Sequence, residues 1–294
     1  MNRDSLPVLD AAARTPAPAA TALPTYVKAS VACHAGAAAV ALAVPPAWPW
    51  ALGLVVANHL ALTGAGLVPR SSWLGRNWSR LPVAAATRRE VAITLDDGPD
   101  PQVTPKVLDL LDHYPLRATF FVIAERAMRA PALCREIVQR GHSLQNHSDH
   151  HLHAFSFLGP KAMAREVGGA QARLADITGV APRFFRAPAG LRNPFLQPVL
   201  ARLGLELVSW TRRGFDTRRN EPERVFGSLA QGLAAGDILL LHDGNAARTA
   251  SGRPVVLEVL PRLLERCREA GLRAVSLPAA FDGPDSDPLP PPAP

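Results

Sequence analysis

From about Arg89 onward, short apolar runs alternate with longer amphipathic segments, and this rhythm restricts the fold more than any other feature. Runs rich in Val, Ile, Leu and Phe predict strands over 91–95, 118–123, 142–145, 183–186, 206–210, 237–241 and 273–277. The segments between them predict helices over roughly 104–113, 126–140, 160–177, 194–203, 222–235 and 255–270. Gly141, Gly204, Gly236 and Gly271 stand between a helix and the next strand, where a left-handed residue closes a helix. Strand–helix alternation repeated this often implies a parallel sheet. Seven strands suggest an α/β barrel, complete or incomplete.

The N-terminal part reads differently. Residues 29–68 contain no Asp, Glu, Lys or Arg. Pro45, Pro46 and Pro49 interrupt the run, because proline inside a helix removes a donor and clashes with the turn before it. Two apolar halves remain, 29–44 and 50–68, and the second approaches the roughly 20 residues that span a bilayer. Trp48, Trp50, Trp73 and Trp78 stand near the breaks and ends, as interfacial aromatics do. Three readings stay open: a two-helix transmembrane hairpin, one span with a partly inserted partner, and a buried soluble hairpin. The late start and length of the apolar region argue against a cleaved signal peptide. The expected organisation is a disordered tail over 1–24, a hydrophobic membrane-associated region over 25–70, a linker over 71–88, a catalytic domain over 89–282 and a Pro-rich tail over 283–294.

Charge supports this division. Residues 1–88 carry 7 Lys and Arg against 2 Asp and Glu, while the remainder carries 25 against 23. The larger part is therefore not a basic nucleic-acid binder, and no nucleic-acid partner is expected. Positive residues flank the apolar region on both sides (Arg14 and Lys28; Arg70, Arg76 and Arg80), which favours both ends of a hairpin on the cytoplasmic face. Cys33, Cys134 and Cys267 form no close pair, so neither a disulfide framework nor a cysteine zinc site is expected.

Polar clusters follow the predicted strands. Asp96 and Asp97 follow the first, 146–151 the third, 187–190 the fourth and His242 the sixth, with Asp216 a few residues past the fifth. In an α/β barrel the C-terminal strand ends converge on one mouth. One Asp with His147 and His151 makes a three-ligand set for a zinc-type metal with a position left for water, whether those histidines lie on a helix or a loop. The other Asp is then free to act as a base. Arg186 faces two carboxylates and can orient Asp96. His242, ending a continuous apolar run, suits a general acid, and Asp216 can favour its charged form. The pattern points to a metal-assisted hydrolase.

Five ordered segments carry a resemblance: Thr94-Leu95-Asp96-Asp97-Gly98-Pro99, His147-Ser148-Asp149-His150-His151, Arg186-Ala187-Pro188-Ala189-Gly190, the stretch from Trp210 to Asp216, and Leu240-Leu241-His242. Over about 89–282 the chain resembles the polysaccharide deacetylases, the NodB-homology domain of carbohydrate esterase family 4. The resemblance implies an α/β fold, a distorted (β/α)7-type barrel, in which Asp97, His147 and His151 bind a divalent metal, usually zinc. It implies that Asp96 is the general base, Arg186 its partner, His242 the general acid and Asp216 the residue tuning it. Leu240 would line the acetyl pocket, and the Ala189 N–H would be an oxyanion donor. The chain departs from the family at Ala189, often aromatic there, and after Asp216, where Thr217-Arg218-Arg219 replaces a common tryptophan.

The expected activity is removal of N-acetyl groups from an acetylated sugar or polysaccharide, releasing acetate. Alternatives are O-acyl esterase activity or an inactive glycan-binding membrane protein. Arg212, Arg213, Arg218 and Arg219 read either as a solvated charge cluster or as a site for phosphate or carboxylate on a lipid-linked or anionic glycan. The expected location is a bacterial-type inner membrane, reached through residues 29–68. Family members usually act outside the cytoplasm, whereas the flanking charges suggest the reverse, so sidedness stays open.

Overall fold

A computed structural model describes residues 23–114 and 116–283. The expected tails, apart from their innermost residues, lie outside the described residues.

Two helices come first, α1 (Thr25–Ala43) and α2 (Trp48–Leu67), joined by a 3-10 turn at Pro45–Ala47. Both are long and apolar enough to cross a membrane, and the rest of the chain buries only 11% of either apolar window. Leu42, Trp50 and Leu60 are 83%, 81% and 69% exposed, unlike the core of a soluble hairpin. Polar groups pin the helices together. Asn58 donates to Ser30 Oγ at 2.7 Å, and His34 Nδ1 donates to the Ser30 carbonyl at 2.7 Å. His34 Nε2 is then the acceptor for His59 Nε2–H at 3.2 Å. Such bonds associate helices where apolar surface gives no preference for a partner over lipid.

The remaining elements are α3 (Val83–Thr87), β1 (Glu90–Gly98), α4 (Thr104–Asp112), β2 (Thr119–Val122), α5 (Ala124–Arg129), α6 (Pro131–Gln139), β3 (Ser143–Asn146), α7 (Pro160–Thr178), β4 (Phe184–Phe185), α8 (Leu196–Arg202), β5 (Glu206–Leu207), β6 (Arg212–Arg213), α9 (Pro222–Ala230), β7 (Ile238–His242), α10 (Val256–Glu269), β8 (Arg273–Ala274) and α11 (Leu277–Asp282). Neighbouring strands are parallel, in the order β5-β4-β3-β2-β1-β7-β6, with β8 paired to the start of β1. The sheet curls into the expected distorted barrel.

Some boundaries differ from expectation. The helix over 126–140 is two helices, because Pro131 has no N–H to give and holds Ala130 out of helical geometry (φ −136°, ψ 56°). The last predicted strand shrinks to two residues off the main sheet path. β6, made of two arginines, carries no apolar signal and was not expected. The linker is also structural. Trp78 N–H bonds the Leu207 carbonyl at 2.9 Å and Ser209 N–H bonds the Trp78 carbonyl at 2.8 Å. Thr211 Oγ1 donates to the Ser79 carbonyl at 2.6 Å, so residues 78–79 bridge the seam between β5 and β6.

The barrel interior changes character along its axis. Ala92, Phe121, Phe184, Ile238 and Leu277 form an apolar floor. The next inward-facing positions on β1 and just past β4, Thr94 and Arg186, are polar, which places the chemistry above that floor.

Candidate active site

Strand alternation sends successive side chains to opposite faces. Ile93 and Leu95 on β1, and Leu239 and Leu241 on β7, pack into the apolar layer that includes side chains of α4, α9 and α10. Thr94 and Asp96 take the other face, in register with Leu240 and His242. Leu240 is 1% exposed yet belongs to none of the apolar core clusters, as expected for a residue lining the inner wall.

Arg186 leaves the end of β4 and is fully buried. Its Nη1 donates to Asp96 Oδ1 at 2.5 Å and Thr94 Oγ1 at 2.8 Å, and its Nη2 donates to the Ser209 carbonyl at 2.9 Å. The guanidinium also lies 4.1 Å from the Phe121 ring centre. One oxygen of Asp96 is thereby committed to a charge-assisted bond. The other, Oδ2, is directed toward His147 Nε2 at 3.8 Å.

Asp97, the penultimate residue of β1, has left-handed backbone (φ 69°) at an irregularity in the pairing with β2. Its carbonyl accepts from Arg126 at 2.8 Å and its Oδ2 accepts from Asn245 at 3.0 Å. His147 and His151 come from the loop after β3, not from a helix. Ser148 N–H bonds Asn146 Oδ1 at 2.9 Å, and His151 N–H bonds Ser148 Oγ at 3.0 Å. The first N–H groups of α5, at Ala124 and Glu125, bond the carbonyls of Ser148 and Asp149. Six non-glycine residues with positive φ (Asp97, Ser148, His151, Ala189, Phe215 and Asn245) lie on or beside these mouth loops. Left-handed geometry costs such residues energy, and it persists where surrounding contacts over-determine it.

Asp97, His147 and His151 offer ligand atoms that all lie within 4.8 Å of one another. The Nε2 atoms of His147 and His151 stand 3.3 and 3.2 Å from Asp97 Oδ1. A backbone carbonyl can only accept, so the 2.8 Å contact of His147 Nδ1 with the Arg186 carbonyl fixes the proton on Nδ1. His147 Nε2 is then a lone pair in the neutral ring, and the buried Asp97 Oδ1 has no hydrogen-bond donor. Burial would push the Asp97 carboxyl up, but His147, His242 and His151 hold it well below the usual carboxylate range. Burial and neighbouring His147 push His151 down to about 4, which keeps its ring neutral at pH 7. An ionised oxygen and two imidazole nitrogens within 4.8 Å of one another, the oxygen without a hydrogen-bond donor among the described residues, fit a divalent cation.

Opposite, His242 Nδ1 bonds Asp216 Oδ1 at 2.8 Å, and His242 N–H bonds Asp216 Oδ2 at 2.7 Å. Burial lowers the His242 pKa, but Asp216, with smaller help from Asp96 and Asp97, outweighs it and raises the ring to about 9. The imidazolium is therefore the resting form, with Nε2–H the donor not used by Asp216. Ala189 is exposed on the loop after Arg186, in left-handed backbone (φ 53°).

Of the nine residues singled out in the sequence, Asp96, Asp97, His147, His151, Arg186, Asp216 and His242 are brought together at this mouth, Leu240 stands in register beside them, and Ala189 lies on the loop that follows Arg186. Others there were missed. Asn245, Arg126 and Ser148 hold the donor set, and Asp243, fully buried, accepts from Thr104 at 2.5 Å with its carboxyl raised by burial to about 7. The arginine cluster divides. Arg212 turns away onto Asp237 at 2.5 Å and the carbonyls of Gln231 and Gly232, a structural clamp. Arg213 stays at the mouth, half-buried beside the rings of Trp210 and Phe215. His150 pairs with Glu166 at 2.8 Å, and the buried His142 lies outside the site, packed against Phe120 and accepting from Ala118 N–H.

Parallel strands delivering carboxylates and imidazoles to one mouth define a barrel hydrolase. Residues 84–208 match the polysaccharide deacetylase family. The chain is 32% identical over 189 residues to a peptidoglycan-N-acetylglucosamine deacetylase of Bacillus cereus, covering 64% of this chain and 85% of that protein. It is 32% identical over 197 residues to a chitooligosaccharide deacetylase of a Bradyrhizobium species, covering 65% and 90%. The family 4 carbohydrate esterase from Streptomyces lividans, solved in complex with acetate, superposes with a TM-score of 0.57 at 31% identity, covering 63% of this chain and 91% of that one. The chain belongs to the polysaccharide deacetylase family, and it is a deacetylase, a hydrolase of non-peptide C–N bonds.

Proposed function

We propose that the protein is a metal-dependent deacetylase of N-acetylated sugars, held at a membrane by its N-terminal hairpin. The observation that carries this reading is the convergence of Asp97 Oδ1, His147 Nε2 and His151 Nε2 within ligand distance of one point. Those three residues would hold a divalent ion, most suitably zinc given two imidazoles and one carboxylate. Bound there, the ion would polarise the acetyl carbonyl and bring the pKa of an attacking water to about 7.

The chain's own groups divide the remaining work. Asp96, with Oδ1 fixed by Arg186, keeps Oδ2 to take a proton as water adds to the carbonyl carbon. The Ala189 N–H would steady the oxyanion. His242 gives its Nε2 proton to the sugar nitrogen as the C–N bond breaks, yielding acetate and a free amine. Asp216 keeps that imidazole charged and oriented. Leu240 shapes the apolar wall against the acetyl methyl.

Amide and ester substrates separate this reading from O-deacetylation. A sugar amine leaves poorly without a proton, whereas an alkoxide needs less help. His242→Ala should lose at least 100-fold on an N-acetylated chitooligosaccharide and far less on an O-acetylated xylooligosaccharide. Wild-type protein that releases acetate only from the ester would overturn the assignment.

The peptidoglycan and chitooligosaccharide activities of the relatives support an acetylated glycan as substrate. Membrane association rests on the two long apolar helices, whose one Lys or Arg is Lys28 in the first turn of α1, and on their uncovered apolar side chains. Contact of the hairpin with the linker and the barrel supports an anchor over a cleaved leader: the Tyr26 ring lies 5.2 Å from that of Trp73 in the linker, and Arg192 N–H of the barrel bonds the Gly66 carbonyl. In this organisation 25–70 is the membrane region, 71–88 both links and closes the seam, and 89–282 carries the chemistry.

A further inference from the structure

Between the hairpin and the barrel lies a cavity of about 480 Å³, within the roughly 300–1,000 Å³ range of small-molecule sites. Val27 and Val31 of α1, Leu62 and Leu67 of α2, and Phe157 and Phe195 of two barrel loops supply its apolar walls. Its lining runs from Val27 to His34 and from Leu67 back to His59, about two helical turns or roughly 10 Å. The close approach of hairpin and barrel depends on Gly66, where an added Cβ would stand 2.1 Å from the Arg192 carbonyl oxygen.

Arg192 is the charged residue of that lining, and it is only 4% exposed. It donates to the Ser71 carbonyl through Nη2, while its buried Nε meets no acceptor. Among the described residues it forms no ion pair, in contrast to the equally buried Arg186 with Asp96. Burial alone pulls its pKa down to about 10, so it remains a cation. Burying a charge without a counter-charge is unfavourable. An anion would supply that counter-charge. A free anion would satisfy the guanidinium but leave the walls empty; a hydrocarbon would do the opposite. An anion carrying an apolar chain satisfies both.

The position links the cavity to the catalytic mouth. Ser156 and Phe157 continue the loop that carries His151, and Arg192 to Phe195 continue the loop that carries Arg186 and Ala189. We propose that this cavity binds a lipid monophosphate, with the phosphate on Arg192 and the chain between α1 and α2, so that a sugar on the phosphate is presented to the deacetylase site. The proposal rests on the deacetylase reading for its final clause and deepens it: the substrate class becomes a membrane-resident, phosphate-linked acetylated sugar.

The test uses the purified full chain in detergent, titrated with farnesyl phosphate, farnesol and inorganic phosphate and followed by native mass spectrometry. Farnesyl phosphate should bind at least ten-fold more tightly than farnesol, and millimolar inorganic phosphate should not bind measurably. Arg192→Gln should bring farnesyl phosphate to the level of farnesol, and Thr63→Phe, which fills the cavity, should weaken both. Equal wild-type affinity for phosphate and alcohol, or tight binding of inorganic phosphate alone, overturns the proposal even if a variant fails to fold. An undiminished phosphate preference in Arg192→Gln also overturns it. Acetate release from a soluble chitooligosaccharide by the same preparation reports separately on the deacetylase reading, so a preparation that deacetylates but ignores farnesyl phosphate sinks this proposal alone.

Discussion

The barrel mouth and the N-terminal hairpin solve opposite problems. The mouth buries charge: Asp96, Asp97, Asp216, Arg186 and His242 are each no more than 5% exposed, and each is held by named partners. The hairpin exposes hydrocarbon: Leu42, Trp50 and Leu60 face outward, while its polar groups, Ser30, His34, Asn58 and His59, turn toward each other. Buried charge is tolerable only when paired, and exposed apolar surface on this scale is tolerable only in an apolar surrounding. One chain therefore joins an enclosed charged site to an uncovered apolar surface, and the two regions should respond to opposite substitutions.

The largest effect should come from the mouth. His147→Ala removes one of three converging lone pairs, and acetate release should fall by at least 1,000-fold together with bound metal. Metal analysis beside the rate assay checks the coupling; metal lost with activity intact would separate the site from catalysis. Next, Arg186→Met leaves Asp96 buried without its cation. Breaking a buried pair in this way costs about 3–5 kcal/mol, which should appear as a lowered midpoint in urea unfolding. A change under 1 kcal/mol would mean that Asp96 is hydrated or protonated.

The hairpin should respond to an added charge. Leu60→Arg introduces a cation on the outward face of α2, at about 2.5–3.5 kcal/mol if that position lies mid-bilayer. The variant should leave the membrane fraction or express poorly, whereas an equivalent exposed change on the barrel, Val180→Arg, should be neutral. Equal behaviour of the two would erase the distinction between the regions.

The smallest effect is a shift in pH dependence. His242 donates only while protonated, so the rate should fall as pH rises through about 9, its raised pKa. Burial favours the neutral ring, and Asp216 is what outweighs it. Asp216→Asn should therefore move the alkaline limb to lower pH, with less than about a ten-fold loss near neutrality. An unmoved limb would assign it to another group.

Strands β1 and β7 were legible in the sequence because both faces are buried and the runs are continuously apolar. The mouth residues were legible because chemistry-bearing types recur at strand ends. Asn245 and Arg126 were not, since they act from exposed or half-exposed positions where a polar residue is the default, and Arg213 stood out only as one of four clustered arginines. The seam was hidden for a similar reason. Trp78 resembles an interfacial aromatic in the sequence, yet its backbone pairs with β5 and its indole N–H bonds Glu206 at 2.8 Å. Arg212 and Arg213 are adjacent and identical in type, but strand alternation sends one to a structural carboxylate and the other to the mouth.

The central claim concerns where a cation sits. Anomalous diffraction at the zinc edge, from crystals of the full chain grown with one equivalent of zinc, tests it directly. A single peak about 2.0–2.2 Å from Asp97 Oδ1 and the Nε2 atoms of His147 and His151 is expected. A peak elsewhere, or none with His147 Nε2 hydrogen-bonded to protein, would contradict it.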